Sequence, residues 1–163
     1  MLLDKYFKNP VLYDYLVSIL ISSIVYIVYC YCAINLPSDE RSMSMTTDLS
    51  NIGLTSTGFI LTLLTVLITF KSSSKVTKTK NTEDDSVFEL FFASGLYFIT
   101  VGILKNCIKS LILISVLGFS LKIGLPKDFI KFSFFYNIFG LIVIALTLYR
   151  CLLILTKILK MQE

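Results

Sequence analysis

Long uncharged runs alternate with short polar segments along the whole chain. An α-helix needs about 20 apolar residues to cross the ~30 Å hydrocarbon core of a bilayer. Four such spans are predicted, with approximate bounds at residues 11–34, 51–70, 97–121 and 129–149. The pattern therefore predicts an all-α, polytopic membrane protein that forms a single membrane domain.

A finer pattern lies within the second span. Its polar and small residues recur at alternating steps of four and three, which places them on one side of a helix. This Thr stripe consists of Asn51, Thr55, Gly58, Thr62, Thr65, Thr69 and Ser72. Small residues let two helices approach closely, and Thr hydroxyls can hydrogen-bond across the contact. The stripe is interpreted as a helix-packing seam within one protomer, or alternatively as a pore lining or oligomer axis.

The third helical stretch is too long for one membrane crossing. Residues 86–121 contain no Pro, and as one helix they would extend roughly 50 Å. Either residues 86–96 form a cytoplasmic helical extension, or the helix breaks near Gly95 or Gly102 and its first half is re-entrant. Ionisable residues at membrane depth are functional candidates. Lys105, Asn106 and Lys109 are therefore candidate pore or vestibule residues, with snorkelling of the lysines to the headgroups as the alternative.

The fourth span carries its own partial seam at Ser133, Asn137, Gly140 and Thr147. Asn137 and Gly140 are its principal packing candidates. Residues 150–163 stay helical and apolar, so this helix is expected to extend into the cytoplasm and to pack on the start of the third. Asp14, one turn into the first span, is interpreted as an acid favoured by the helix dipole.

Orientation follows from the distribution of Lys and Arg, which accumulate on the cytoplasmic side. The cytoplasmic loop at 71–86 carries a basic cluster, namely Lys71, Lys75, Lys78 and Lys80. Inside segments would also hold Lys5, Lys8, Arg150, Lys157 and Lys160, whereas the outside loops hold only Arg41, Lys122, Lys127 and Lys131. This asymmetry predicts that both termini are cytoplasmic (N-in/C-in).

Composition restricts the chemistry. The chain has 55% hydrophobic and 16% charged residues and no His, so the commonest metal ligand and general base are absent. Cys30 and Cys32 form a C-x-C pair that is interpreted as apolar filler. We expect no catalytic residues, metal or cofactor. Direct nucleic-acid binding is not expected either, because neither aromatic residues nor Arg accompany the basic cluster.

Two successive segments of the chain read TSTGFILTLLTVLITFKSSSK and ELFFASGLYFITVGILKNCIKS. Their layout resembles that of small four-span membrane subunits of bacterial antiphage defence systems, such as the Kiwa membrane protein. The resemblance implies a homo-oligomer in the inner membrane that works with a soluble cytoplasmic partner. Two hypotheses follow for the chain: a pore whose lysines line an anion-selective vestibule, or a membrane sensor and anchor for that partner. A stand-alone ion channel or holin-like pore is the alternative to both.

Overall fold

A computed structural model describes residues 10–32, 36–77, 95–126 and 129–160. They form four α-helices, which are α1 (Pro10–Cys32), α2 (Asp39–Thr77), α3 (Gly95–Gly124) and α4 (Ile130–Leu159), and these residues include no strand. Each helix is long and apolar enough to cross a membrane. The predicted all-α fold with four spanning helices is confirmed, and the N-in/C-in orientation remains a prediction.

Helix α2 begins at Asp39, twelve residues before the predicted start of the second span at residue 51. The Arg41 amide donates to Ser38 Oγ at 3.4 Å, and two acids, Asp39 and Glu40, occupy the first turn. Ser38 therefore caps the helix, and the acids complement its dipole. Residues 35–50 were expected to form a polar loop outside the membrane, and this is wrong for residues 39–50, which a capped first turn allows to form helix.

The other boundaries differ less from the prediction. Helix α2 continues to Thr77, so the first part of the predicted 71–86 loop is helical, and residues 78–94 lie outside the described part. The predicted cytoplasmic extension at 86–96 therefore falls almost wholly outside it. Helix α4 continues ten residues past the predicted membrane boundary at residue 149, as the apolar tail indicated.

Three of the four helices build the hydrophobic core. Helix α2 packs on α3 and α4, and α1 packs mainly on α4. Every hydrophobic side chain of the buried cluster comes from α2, α3 or α4: Leu49, Ile60, Leu67, Tyr97, Leu104, Cys107, Leu111, Ile114, Val143, Ile144, Cys151 and Ile158. The only fully buried side chains in the body of α1 are polar, those of Asp14 and Ser18. Helix α1 is thus attached to a three-helix core through buried polar groups and through the packing of its tyrosines on phenylalanines of α4.

Candidate functional site

The Thr stripe of α2 faces away from the other described helices. All seven of its residues are exposed, and no atom lies within 4 Å of a Cβ built on Gly58. The hydroxyls of Thr55, Thr62, Thr65 and Thr69 each donate to a carbonyl of their own helix one turn earlier. Among the described residues the stripe therefore forms no packing seam within the protomer, and its role between protomers stays a prediction.

The packing face of α2 lies on the opposite side of the helix. It is formed by Ser42, Thr46, Leu49, Ser50, Gly53, Ile60 and Leu67, all buried. Gly53 precedes Thr55 by two positions, which is about 200° around an α-helix. Residues of both faces recur every seven positions along the chain. The period of the sequence pattern alone could therefore not distinguish the contact face of α2 from its exposed face.

Small residues set a close approach between α2 and α3. A Cβ built on Gly53 would meet Ser115 Oγ and lie 3.5 Å from the Leu111 carbonyl oxygen, and one built on Gly118 would meet Ser50 Oγ. The Ser50 and Ser115 hydroxyls donate to carbonyls of their own helices, so no hydroxyl in this contact needs water. These two Gly–Ser pairs form the small-residue interface that the Thr stripe was expected to provide.

The partial seam predicted on α4 does lie in the protomer interior. Ser133, Asn137, Gly140 and Thr147 are all buried. The Asn137 amide Nδ2 donates to the Ser42 carbonyl oxygen at 3.0 Å, and a Cβ on Gly140 would lie 2.6 Å from Leu49 Cδ2. Asn137 and Gly140 therefore join α4 to α2.

Lys105, Asn106 and Lys109 are exposed on the outer face of α3. The three side chains therefore do not face the interior of the described bundle, which was a third possible position for the two lysines. A vestibule role for these residues now requires a second protomer, and snorkelling to the headgroups remains the alternative.

Most of the basic cluster lies outside the described residues. Lys78 and Lys80 fall in the undescribed segment, and the side chain of Lys75 is likewise outside the described part. The Lys71 ammonium lies 3.9 Å from the ring centroids of both Tyr97 and Phe98. This cation–π contact joins the end of α2 to the start of α3.

A buried ion pair is the feature that sequence reasoning missed. The Arg150 guanidinium of α4 contacts the Asp14 carboxylate of α1, and both side chains are almost fully buried. Interpreting Asp14 as an acid that serves the helix dipole was wrong, because its charge is met by Arg150. The sequence contains two signals of this ion pair, which are an acid near the start of the first span and an Arg at the end of the last.

Two thiols adjoin this ion pair. Arg150 Nη1 lies 4.0 Å from Cys107 Sγ, and the thiols of Cys107 and Cys151 are both buried. One turn along α3 from Cys107, Ser110 Oγ is 3.0 Å from the Tyr15 hydroxyl of α1. Polar groups from three helices therefore meet at one level of the bundle. The described residues hold no group of three or more metal-ligating side chains.

No protein-family model, curated protein or solved structure matches this chain.

Proposed function

We propose that this integral membrane protein assembles as a homo-oligomer and forms a pore, as the membrane component of a bacterial antiphage defence system with a cytoplasmic partner. The observation that carries the proposal is the exposure of the Thr stripe on α2. The protomer packs through the opposite face of that helix, so the stripe is available to a second copy.

The dimensions of the stripe suit a contact along a membrane helix. From Asn51 to Ser72 it extends about 32 Å at ~1.5 Å per residue, close to the thickness of the hydrocarbon core. Gly58 and the β-branched Thr side chains leave a shallow surface that a second helix can approach closely. Since the Thr hydroxyl protons are already bonded within α2, the approach leaves none of them unsatisfied.

The exposed lysines of α3 lie near the level of the middle of the stripe. Gly53 is beside Leu111 and Ser115, and Ser50 is beside Gly118, so α2 and α3 run antiparallel. In that register Lys105 and Lys109 lie close to the level of Thr62 and Gly58. An assembly through the stripe would bring lysines of several protomers to one height, where their charge favours anions.

The defence role rests on the resemblance of the chain layout to small four-span antiphage subunits. In such an assembly the cytoplasmic partner would detect infection, and the membrane subunit would respond by opening. The cytoplasmic segments after α2 and in the α4 tail are the proposed docking regions for that partner.

Assembly is tested by native mass spectrometry of the purified protein. We expect a closed oligomer for the wild type and a shift to smaller species for Gly58→Leu. Gly102→Leu is the matched control, because a Cβ at Gly102 also meets nothing within 4 Å. A wild-type monomer that retains a soluble partner would instead support the anchor hypothesis.

Conduction is tested in planar bilayers. The Lys105→Leu/Lys109→Leu double variant is expected to lose anion preference, whereas Lys122→Leu, also exposed on α3, is expected to retain it. Unchanged conductance and selectivity in the double variant would overturn the vestibule role of the lysines while leaving the oligomer intact.

A further inference from the structure

A cleft opens between α2 and α4 on the outer surface of the bundle. Its volume is about 320 Å³, within the ~300–1,000 Å³ typical of ligand sites. Most of its lining is apolar, and two polar side chains interrupt it. The lining residues are Met45, Asp48, Leu49, Ile52, Phe134, Asn137, Ile138 and Leu141.

Both polar side chains carry acceptor oxygens that no described residue uses. The Asp48 carboxylate is exposed, and no cation among the described residues lies within ion-pair distance of it. Asn137 is 9% exposed and uses its Nδ2 to bond the Ser42 carbonyl, which leaves Oδ1 without a hydrogen-bond partner in the described part of the chain. A ligand that satisfies both groups must therefore donate hydrogen bonds, and a positive charge would complement Asp48.

The cleft lies where α2 changes from polar to apolar. Asp48 is the last charged residue of α2 before Lys71. Ser42 contacts Asn137 and Leu49 contacts Gly140, so α2 and α4 run parallel at this place. Ile52 and Leu141 consequently lie on the same side of Asp48, toward the apolar part of both helices. The site combines a polar end at the membrane boundary with an apolar wall that leads into the bilayer.

We propose that this cleft binds an aminophospholipid, with its primary ammonium group on Asp48 and Asn137 Oδ1 and an acyl chain along Ile52 and Leu141. A bare metal ion fits poorly, because hard cations need about six oxygen ligands and two side chains supply oxygen here. A choline headgroup has no N–H to give to Asn137. The proposal does not depend on the pore, since the cleft lies on the α4 side of α2.

The test is native mass spectrometry of the full chain with equal amounts of phosphatidylethanolamine and phosphatidylcholine. We expect the wild type to retain phosphatidylethanolamine about fivefold more, the ratio that one net hydrogen bond provides, because both headgroups are cationic but only the primary ammonium can donate one. Asp48→Asn should abolish this preference. Asp39→Asn is the matched control, because Asp39 is exposed in the first turn of α2 and outside the cleft.

A second variant tests the apolar wall. Ile52→Phe should fill the cleft and remove the retained lipid, whereas Leu54→Phe, at a similarly exposed position outside the cleft, should leave it.

Equal retention of the two lipids by the wild type, or loss of preference in Asp39→Asn, would overturn the proposal. Displacement of the lipid by free ethanolamine would assign the site to small amines. A change of oligomeric state in Ile52→Phe would make this surface a contact between copies.

Discussion

The Asp14 carboxylate and the Arg150 guanidinium pair in the interior of the bundle and join its first helix to its last. Since α1 contributes no hydrophobic side chain to the described core cluster, this pair is its principal buried connection to the other helices. The Tyr15–Ser110 contact and the packing of Tyr26 and Tyr29 on Phe135 support it. The attachment of α1 thus combines one buried ion pair with aromatic packing on α4.

Removal of one partner of the pair should be strongly destabilising. Arg150→Leu leaves the Asp14 carboxylate buried without its partner, and such losses cost about 3–5 kcal/mol. Denaturant-induced unfolding in detergent micelles measures the change. The Asp14→Leu/Arg150→Leu double variant should recover most of the stability, because both charges are then absent. A double variant as unstable as the sum of the single variants would show that the side chains act independently.

The two faces of α2 should respond differently to the same substitution. Gly53→Leu forces a side chain against Ser115 and the Leu111 carbonyl, and overpacking of this kind costs about 1–3 kcal/mol. Gly58→Leu meets open space and should leave the unfolding free energy of the protomer nearly unchanged, apart from any effect on assembly. Equal destabilisation by the two substitutions, measured under conditions that keep the protein monomeric, would contradict the assignment of faces.

The interhelical hydrogen bond of Asn137 should make a measurable contribution to stability. Asn137→Leu removes the donor to the Ser42 carbonyl, and such bonds in membrane proteins contribute about 0.6 kcal/mol on average and up to about 1.7. Asn106→Leu makes the same chemical change at an exposed position of α3 and serves as the control. We expect a lower unfolding free energy only for Asn137→Leu.

Thiol labelling tests both burial and orientation. Cys30 is exposed at the end of α1, whereas Cys107 and Cys151 are buried. In a Cys32→Ser background, a membrane-impermeant maleimide should label Cys30 in intact spheroplasts if the predicted N-in orientation is correct. Labelling that appears only after lysis would reverse the orientation. Rapid labelling of Cys107 in the native state would contradict its burial.

Hydropathy was sufficient to predict the fold class, because a bilayer accepts few backbone arrangements and each apolar run is long. It was sufficient for the α4 seam as well, since Asn137 and Gly140 were the polar and small exceptions on an otherwise large and apolar helix. It failed on α2, where two opposite faces both carry small and polar residues. The contact face there depends on Ser115 and Gly118 of another helix.

The ion pair was beyond sequence reasoning for a different reason. Asp14 and Arg150 each have an adequate local explanation, as an acid near a helix start and as a basic residue at a membrane exit. Only the packing of α1 against α4 makes them partners. Lys105 and Lys109 show the reverse case, because their spacing places them on one face of α3 but does not say whether that face is exposed or buried.

The position of this ion pair in the chain has a consequence for biosynthesis. Asp14 enters the membrane early, but its partner is translated 136 residues later. At about 5–20 residues per second, the acid waits roughly 7 to 27 seconds before Arg150 exists. During that interval the carboxylate of α1 has no Arg150 to pair with, and an unpaired charge is costly at membrane depth. Helix α1 therefore forms its buried ion pair only after α4 has been synthesised.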